Sequence, residues 1–70
     1  MKVIESIPLR VDDTKAFTTL ILDGCFPDTK FSSVRCGDET AKTTWLSGGR
    51  LDEVAVEGIH DFTGMEITFE

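Results

Sequence analysis

The chain has 70 residues, 40% of them hydrophobic, and a formal net charge of −6 at pH 7. This length predicts a single domain, residues 1–70, and this composition argues against intrinsic disorder. No uninterrupted apolar run exceeds three residues, whereas a transmembrane helix needs about 20. Residues 1–7 also lack the apolar stretch of a signal peptide. We therefore expect a cytoplasmic protein without a membrane partner.

The negative charge is concentrated in the C-terminal part of the chain. Acids and bases balance in residues 1–35, and no Lys or Arg follows Arg50. The six acids beyond that point are Asp52, Glu53, Glu57, Asp61, Glu66 and Glu70. A concentrated acidic field attracts cations and basic surfaces and repels nucleic acid. We therefore expect a basic protein surface as the partner, with no direct binding of nucleic acid.

Six short segments rich in Val, Ile, Thr and Phe, separated by turn residues, predict a mainly β protein. The first segment is residues 2–11, and Ile4 and Glu5 interrupt its alternation. Pro8 predicts an edge strand, because proline has no N–H to donate to a neighbouring strand. Residues 12–15 follow as a predicted hairpin loop. The apolar residues of the first segment that we expect to face the core are Val3, Ile7, Leu9 and Val11.

The second segment, residues 16–22, fits two interpretations. Its apolar residues recur at helical spacing, with Asp13 as a possible N-cap and Gly24 as a possible C-terminal stop. Its β-branched residues, which favour a strand, are Thr18, Thr19 and Ile21. We predict a strand. The alternative is an α+β fold with one short helix at residues 14–23.

The remaining strands are predicted at residues 31–36, 41–46, 52–58 and 65–70. Turns are predicted at residues 27–28, 37–39 and 47–50, and a loop at residues 59–64. Trp45, within the fourth strand, is predicted to anchor the core. The expected architecture is a compact antiparallel meander of five or six strands, either a small barrel or a two-layer sandwich.

The last two predicted strands alternate most regularly, and both carry glutamates on the side away from the apolar residues. A hairpin joining them would place these glutamates on one solvent face, where like charges oppose each other across the strands. The opposed pairs in this hairpin are Glu57–Glu66 and Glu53–Glu70. Three interpretations remain open: a charged edge that blocks unwanted strand pairing, a binding face for a basic surface, or a cation site.

No motif for catalysis, a metal or a cofactor stands out. Cys25 and Cys36 are expected to be free thiols, with a disulfide as the alternative, and together with His60 they do not supply four zinc ligands. His60 and Asp61 are the one place suited to acid–base chemistry at neutral pH, but no nucleophile motif accompanies them. Residues 47–50 predict a hairpin turn rather than a phosphate-binding loop.

These observations predict a non-enzymatic interaction or inhibitor protein. Its acidic hairpin would bind a basic surface, that of a nucleic-acid-binding protein, by occupying the place of phosphates. A small acidic domain of this kind is typical of phage or mobile-element proteins that act against host defence. The alternative is a small structural subunit that homo-oligomerises through sheet edges, using the strand with Pro8 or the C-terminal strand.

Overall fold

The computed structural model of the chain describes residues 1–27, 30–44 and 50–70. Within these ranges the regular structure is six β-strands: β1 (Val3–Arg10), β2 (Ala16–Leu22), β3 (Ser33–Cys36), β4 (Glu39–Thr44), β5 (Glu53–Glu57) and β6 (Thr68–Phe69). They form one antiparallel sheet in the order β1-β2-β5-β4-β3-β6. The predicted mainly β, antiparallel fold is therefore confirmed. No helix in the described part of the chain is long and apolar enough to cross a bilayer.

The second segment of the sequence is a strand and not a helix. β2 pairs with β1 on one side and with β5 on the other, so both of its edges are hydrogen-bonded. Thr18, Leu20 and Leu22 point inward and are buried, whereas the residues between them are half-buried on the outer face. Pairing on two sides favours the β-branched residues of this segment, which would lose side-chain freedom in a helix.

The two ends of the sheet meet beside the first residues of β1. Lys2 forms an antiparallel bridge with Glu66. The N–H of Val3 donates to the C=O of Met65 at 3.0 Å, and the N–H of Gly64 donates to the C=O of Val3 at 2.7 Å. The segment before β6 therefore closes the sheet into a small barrel at this point. The interior is filled by Val3, Leu20, Leu22, Val34, Cys36, Ala41, Val54, Val56, Phe62 and Ile67.

Strand β1 does not present the predicted face to the core. Val3 is fully buried, but Ile7 and Leu9 are exposed by 46% and 57%. The cause is a register shift between Val3 and Glu5, where Ile4 is an extra residue opposite β2. Because side chains alternate along a strand, one extra residue turns every later side chain to the other face. The prediction of an edge position for this strand is confirmed, since β1 lies at the end of the strand order.

The predicted acidic hairpin does not form. β5 lies between β2 and β4, and β6 pairs with β3, so two strands separate β5 from β6 in both directions around the barrel. Glu57 lies opposite Phe17, and Glu53 lies opposite Ile21. Three consecutive residues of β5, residues 54–56, are buried, so this strand needs a partner on both sides. Direct pairing with β6 would instead have set glutamates against each other.

Cys36 is buried, Cys25 is exposed, and both are free thiols, so the alternative of a disulfide is not realised. Trp45, the predicted core anchor, lies outside the described residues. So do most of the turn at residues 47–50 and the second residue of the turn at 27–28.

The buried hydroxyl of Thr18 connects β2 to the loop that follows β5. It donates to the C=O of Gly58 at 2.7 Å and accepts from the N–H of His60 at 3.0 Å. Gly58 has φ +86°, in the left-handed region that favours glycine, and a Cβ there would meet Nε2 of His60 at 3.0 Å. This hydroxyl therefore satisfies both backbone groups at the point where the chain turns back over the barrel.

Replacing Thr18 with Val keeps the shape of the side chain and removes the hydroxyl. We expect Thr18→Val to lower the free energy of unfolding by about 1–3 kcal/mol, because two backbone groups lose their partner. Thr18→Ser is the matched control: it keeps the hydroxyl, loses one methyl group, and should cost about 1 kcal/mol. Urea unfolding measures both values. A Val variant as stable as the wild type would contradict the role of the hydroxyl.

Candidate protein-interaction surface

Three adjacent strands, β1, β2 and β5, share one outward-facing surface. The register of the two strand pairs aligns their outward residues in rows that run across the sheet. The first row is Glu5, Ile21 and Glu53; the second is Ile7, Thr19 and Ala55; the third is Leu9, Phe17 and Glu57. These residues are called the nine-residue face below. The intervening residues of β2 and β5 point inward and are buried.

Five of the nine residues of this face are apolar, and they surround Thr19 at its middle position. Ile7 and Leu9 are among the most exposed large hydrophobic side chains of the described residues, and Phe17 and Ile21 are half-buried beside them. Val11, directly after β1, is also exposed by 55%. A contiguous apolar patch with a polar rim is typical of a surface that another molecule covers.

Carboxylates occupy three of the four corners of this face, and none of the nine residues is basic. Glu5 and Glu53 are two strand spacings apart, about 10 Å, and Glu53 and Glu57 are about 13 Å apart along β5. Glu5 and Glu57 form no ion pair with the described residues. The face therefore combines an apolar cluster with three carboxylates, two of which have no ion-pair partner among the described residues.

Arg50 partly neutralises one corner of the face from the loop before β5. Its Nε lies 3.0 Å from Oδ1 of Asp52 and 3.5 Å from Oε1 of Glu53. The hydrogen bond from Arg50 holds the pKa of Asp52 below its usual value, and the same contacts raise the pKa of Arg50. Because Arg50 is largely exposed and the two carboxylates are only half-buried, solvent and salt screen these contacts, and they contribute little to stability.

The other predicted acids lie elsewhere. Glu66 pairs with the ammonium group of Met1 at 3.1 Å, and Glu70 pairs with Arg35 at 3.1 Å, on the side of the barrel opposite β5. Asp61 is exposed in the loop before β6. The structure therefore keeps Glu53 and Glu57 on one face, places Asp52 beside them, and separates the remaining three.

Sequence reasoning missed Glu5 and the apolar cluster of this surface. Ile7 and Leu9 were assigned to the core because they continue the alternation that begins at Val3. The available signal was the break at Ile4 and Glu5, which is what a β-bulge produces in a sequence. A bulge turns the later side chains of a strand to the opposite face, so this break in alternation indicated that Ile7 and Leu9 lie on the outer face and not in the core.

A groove of about 590 Å³ adjoins the third row of the face, at the turn between β1 and β2. Its lining includes Arg10, Lys15, Phe17 and Glu57, so both signs of charge meet there. The side chain of Asp12 organises the turn by accepting from the N–H groups of Thr14 at 2.7 Å and Lys15 at 2.8 Å. The hydrogen bonds from Thr14 are the main reason that the pKa of Asp12 is lowered. The nine-residue face is therefore bordered at its third row by a groove that carries both basic and acidic side chains.

His60, the candidate for acid–base chemistry, lies in a second cleft of about 340 Å³. Its Nε2 lies 2.9 Å from the C=O of Glu57, its Nδ1 lies 3.3 Å from Oε2 of Glu39, and its ring stacks on Phe62. A carbonyl only accepts, so Nε2 must donate to it. Burial, together with the charge of Glu39, raises the pKa of the Cys36 thiol in the same cleft. These contacts fasten the loop to β4 and β5.

Comparisons of this chain with models of protein families, with curated proteins and with solved structures return no match. In residues 1–27, 30–44 and 50–70, no group of three His, Cys, Asp or Glu side chains is placed to hold a metal ion. The functional interpretation therefore depends on the nine-residue face and its surroundings.

The two thiols should differ sharply in reactivity. We expect Cys25, which is exposed, to react at once with a thiol reagent such as dithionitrobenzoate. Cys36 should react only on unfolding, because it is buried and its raised pKa disfavours the thiolate, which is the reactive form. Cys25→Ser should abolish the fast reaction. Fast labelling of the Cys25→Ser variant would contradict this assignment.

The Cys36 thiol also makes the stability of the fold depend on pH. Since the pKa of Cys36 is raised above its ordinary value of 9.0, the unfolded chain releases the thiol proton at a lower pH than the folded chain does. Ionisation of this thiol therefore destabilises the fold as pH rises past about 9.

Proposed function

We propose that this chain is a non-enzymatic interaction protein that binds a basic surface of another protein through the nine-residue face. The observation that carries this proposal is the combination of exposed Ile7 and Leu9 with carboxylates at three corners and no base among them. A few exposed apolar side chains in such a patch supply most of the binding energy. The charged rim adds specificity and speeds association.

The chemistry of the face defines the partner. Its surface needs an apolar centre that covers Ile7 and Leu9, and bases spaced about 10–13 Å apart to meet Glu5, Glu53 and Glu57. Arg and Lys clusters with that spacing are typical of surfaces that bind a phosphate backbone. The net charge of −6 directs the chain toward such proteins and away from nucleic acid. We therefore propose an inhibitor that occupies a nucleic-acid-binding surface, the role that small acidic phage or mobile-element proteins fill.

A second candidate function is that of a structural subunit that assembles through its sheet edge. The observation in its favour is that β1 is an edge strand with Ile7, Leu9 and Val11 exposed. Assembly through apolar side chains and backbone hydrogen bonds would resist salt, whereas binding to a basic partner would weaken steeply with salt. Salt dependence therefore distinguishes the two candidates.

The first test compares two sets of Gln substitutions in a nuclease-treated lysate of the host cell. Glu5→Gln, Glu53→Gln and Glu57→Gln together remove the acidic rim. We expect this triple variant to bind the captured partner about tenfold more weakly, because three rim charges at roughly 0.5 kcal/mol each amount to about 1.5 kcal/mol. Binding is quantified with the purified partner at low and high salt.

The matched control is Glu66→Gln with Glu70→Gln, which removes like charges from the opposite side of the barrel. This variant should bind as the wild type does. Equal binding by the wild type and the triple variant would overturn the proposed face. Recovery of the chain alone, as a salt-resistant oligomer, would favour the structural subunit instead.

A further inference from the structure

The hydrogen bonds of β2 show which N–H and C=O groups of β1 face β2 and which face away from it. The C=O of Ala16 accepts from the N–H of Gly58 at 2.9 Å, and the N–H of Leu22 donates to the C=O of Asp52 at 2.8 Å. The even-numbered residues of β2 therefore bond to β5, and its odd-numbered residues bond to β1. The partners of those odd-numbered residues are Glu5, Ile7 and Leu9.

The even-numbered residues of β1 consequently direct their backbone groups away from β2. These groups are the N–H and C=O of Ser6, the C=O of Pro8, and the N–H and C=O of Arg10; they are called the open edge below. Before the bulge the direction is the same for Val3, whose N–H and C=O bond to Met65 and Gly64. Past the bulge, none of the described residues pairs with the backbone on this side.

The open edge runs along the β1 side of the nine-residue face. Side chains of Ile7 and Leu9 alternate with the open backbone groups, and Glu5 stands at one end. Edge strands are commonly protected by Lys, by Pro, by a bulge or by inward-pointing charge. Of these, β1 has Pro8, the bulge at Ile4 and Arg10 at an inward position opposite Ala16, but it has no Lys or Arg on its outer face. A strand added here would therefore gain backbone hydrogen bonds and apolar contacts together.

We infer that the open edge of β1 binds an extended segment of the basic partner as an additional β-strand, an inference that rests on the proposed function. Glu5 selects a base at the neighbouring position of that segment, and Ile7 and Leu9 select apolar residues at the next two outward positions. The backbone N–H groups of the added segment donate to the C=O groups of the open edge, including the C=O of Pro8.

A second copy of this chain fits the edge less well than such a partner. In the symmetric antiparallel register centred on Pro8, Pro8 lies opposite Pro8 at a position that requires two N–H groups, and proline has none. Each copy also carries a net charge of −6, which opposes association. A segment that keeps all of its N–H groups avoids both problems.

Amide hydrogen exchange of the free protein tests the geometry first. We expect alternation along β1, with slow exchange at Ile7 and Leu9 and fast exchange at Arg10 and Ser6, because only the first pair donates to β2. Slow exchange at both Ser6 and Arg10 would mean that the edge is already occupied, and it would overturn the inference.

The second test uses the defined probe acetyl-Val-Thr-Val-Thr-Val-Thr-Lys-amide. Aligned antiparallel to β1, it places Lys beside Glu5 and Val beside Ile7 and Leu9, and its Thr N–H groups point at the open edge. We expect saturable changes of the β1 amide signals in NMR spectra. N-methylation of the three Thr residues should weaken binding at least about tenfold. N-methylation of the three Val residues, whose N–H groups point away, is the matched control and should have little effect.

Arg10→Pro tests the same edge in the protein. The substitution removes an N–H that faces the open edge and leaves the ladder to β2 intact, and Arg10→Ala controls for the loss of charge. We expect Arg10→Pro to bind the probe and the captured partner several-fold more weakly than Arg10→Ala. Thermal unfolding of both variants verifies that they remain folded.

The outcomes separate this inference from the proposed function. If both N-methylated probes bind equally, or if no probe binds, strand addition is wrong. If the partner is then still lost only from the triple Gln variant, the acidic face remains the binding surface. A dimer in sedimentation experiments that Arg10→Pro abolishes would overturn the inference in favour of a second copy.

Discussion

One extra residue in β1, Ile4, determines the direction of every side chain and backbone group that follows it in the strand. Before Ile4, Val3 lies in the core and its backbone closes the barrel through Gly64 and Met65. After Ile4, the same inward direction belongs to Ser6, whose hydroxyl accepts from the N–H of Phe62 at 3.0 Å. The bulge therefore lets one strand close the barrel at its start and present an apolar outer face and an open edge along its remaining length.

The position of β5 explains why the acids separate as they do. The inward residues Val54 and Val56 are fully buried in the core, and the small Ala55 on the other side of the strand is also buried, as expected for a strand that lies between two neighbours. β2 and β4 supply them. β6 then completes the circle from the other end, beside β3, and its flanking glutamates meet a base or the N-terminal ammonium. Glu57 has no such partner among the described residues, and Asp52 and Glu53 share Arg50, so the acids in and beside β5 are less fully compensated than those beside β6.

Much of the fold could be predicted from local patterns, and the candidate site could not. Alternation and β-branched residues correctly indicated a strand at residues 16–22, and Pro8 correctly indicated an edge. The order of the strands depends on contacts between distant segments, such as Phe17 with Glu57, and no local pattern encodes such contacts. The regular alternation of β5 revealed its two faces but not its neighbours. Assigning its glutamates to a hairpin with the last strand was wrong for that reason.

The acidic rim has two effects that follow from the same charges. An apolar face beside an open strand edge favours self-association. The net charge of −6 opposes the approach of a second copy, and Pro8 removes a donor that symmetric pairing would need. Neither feature opposes a basic segment with its full set of N–H groups; the carboxylates attract it. Glu5, Glu53 and Glu57 contribute to that charge, so the same carboxylates disfavour a second copy of the chain and attract the proposed basic segment. A surface that exposes Ile7 and Leu9 needs both effects to bind its partner without self-association.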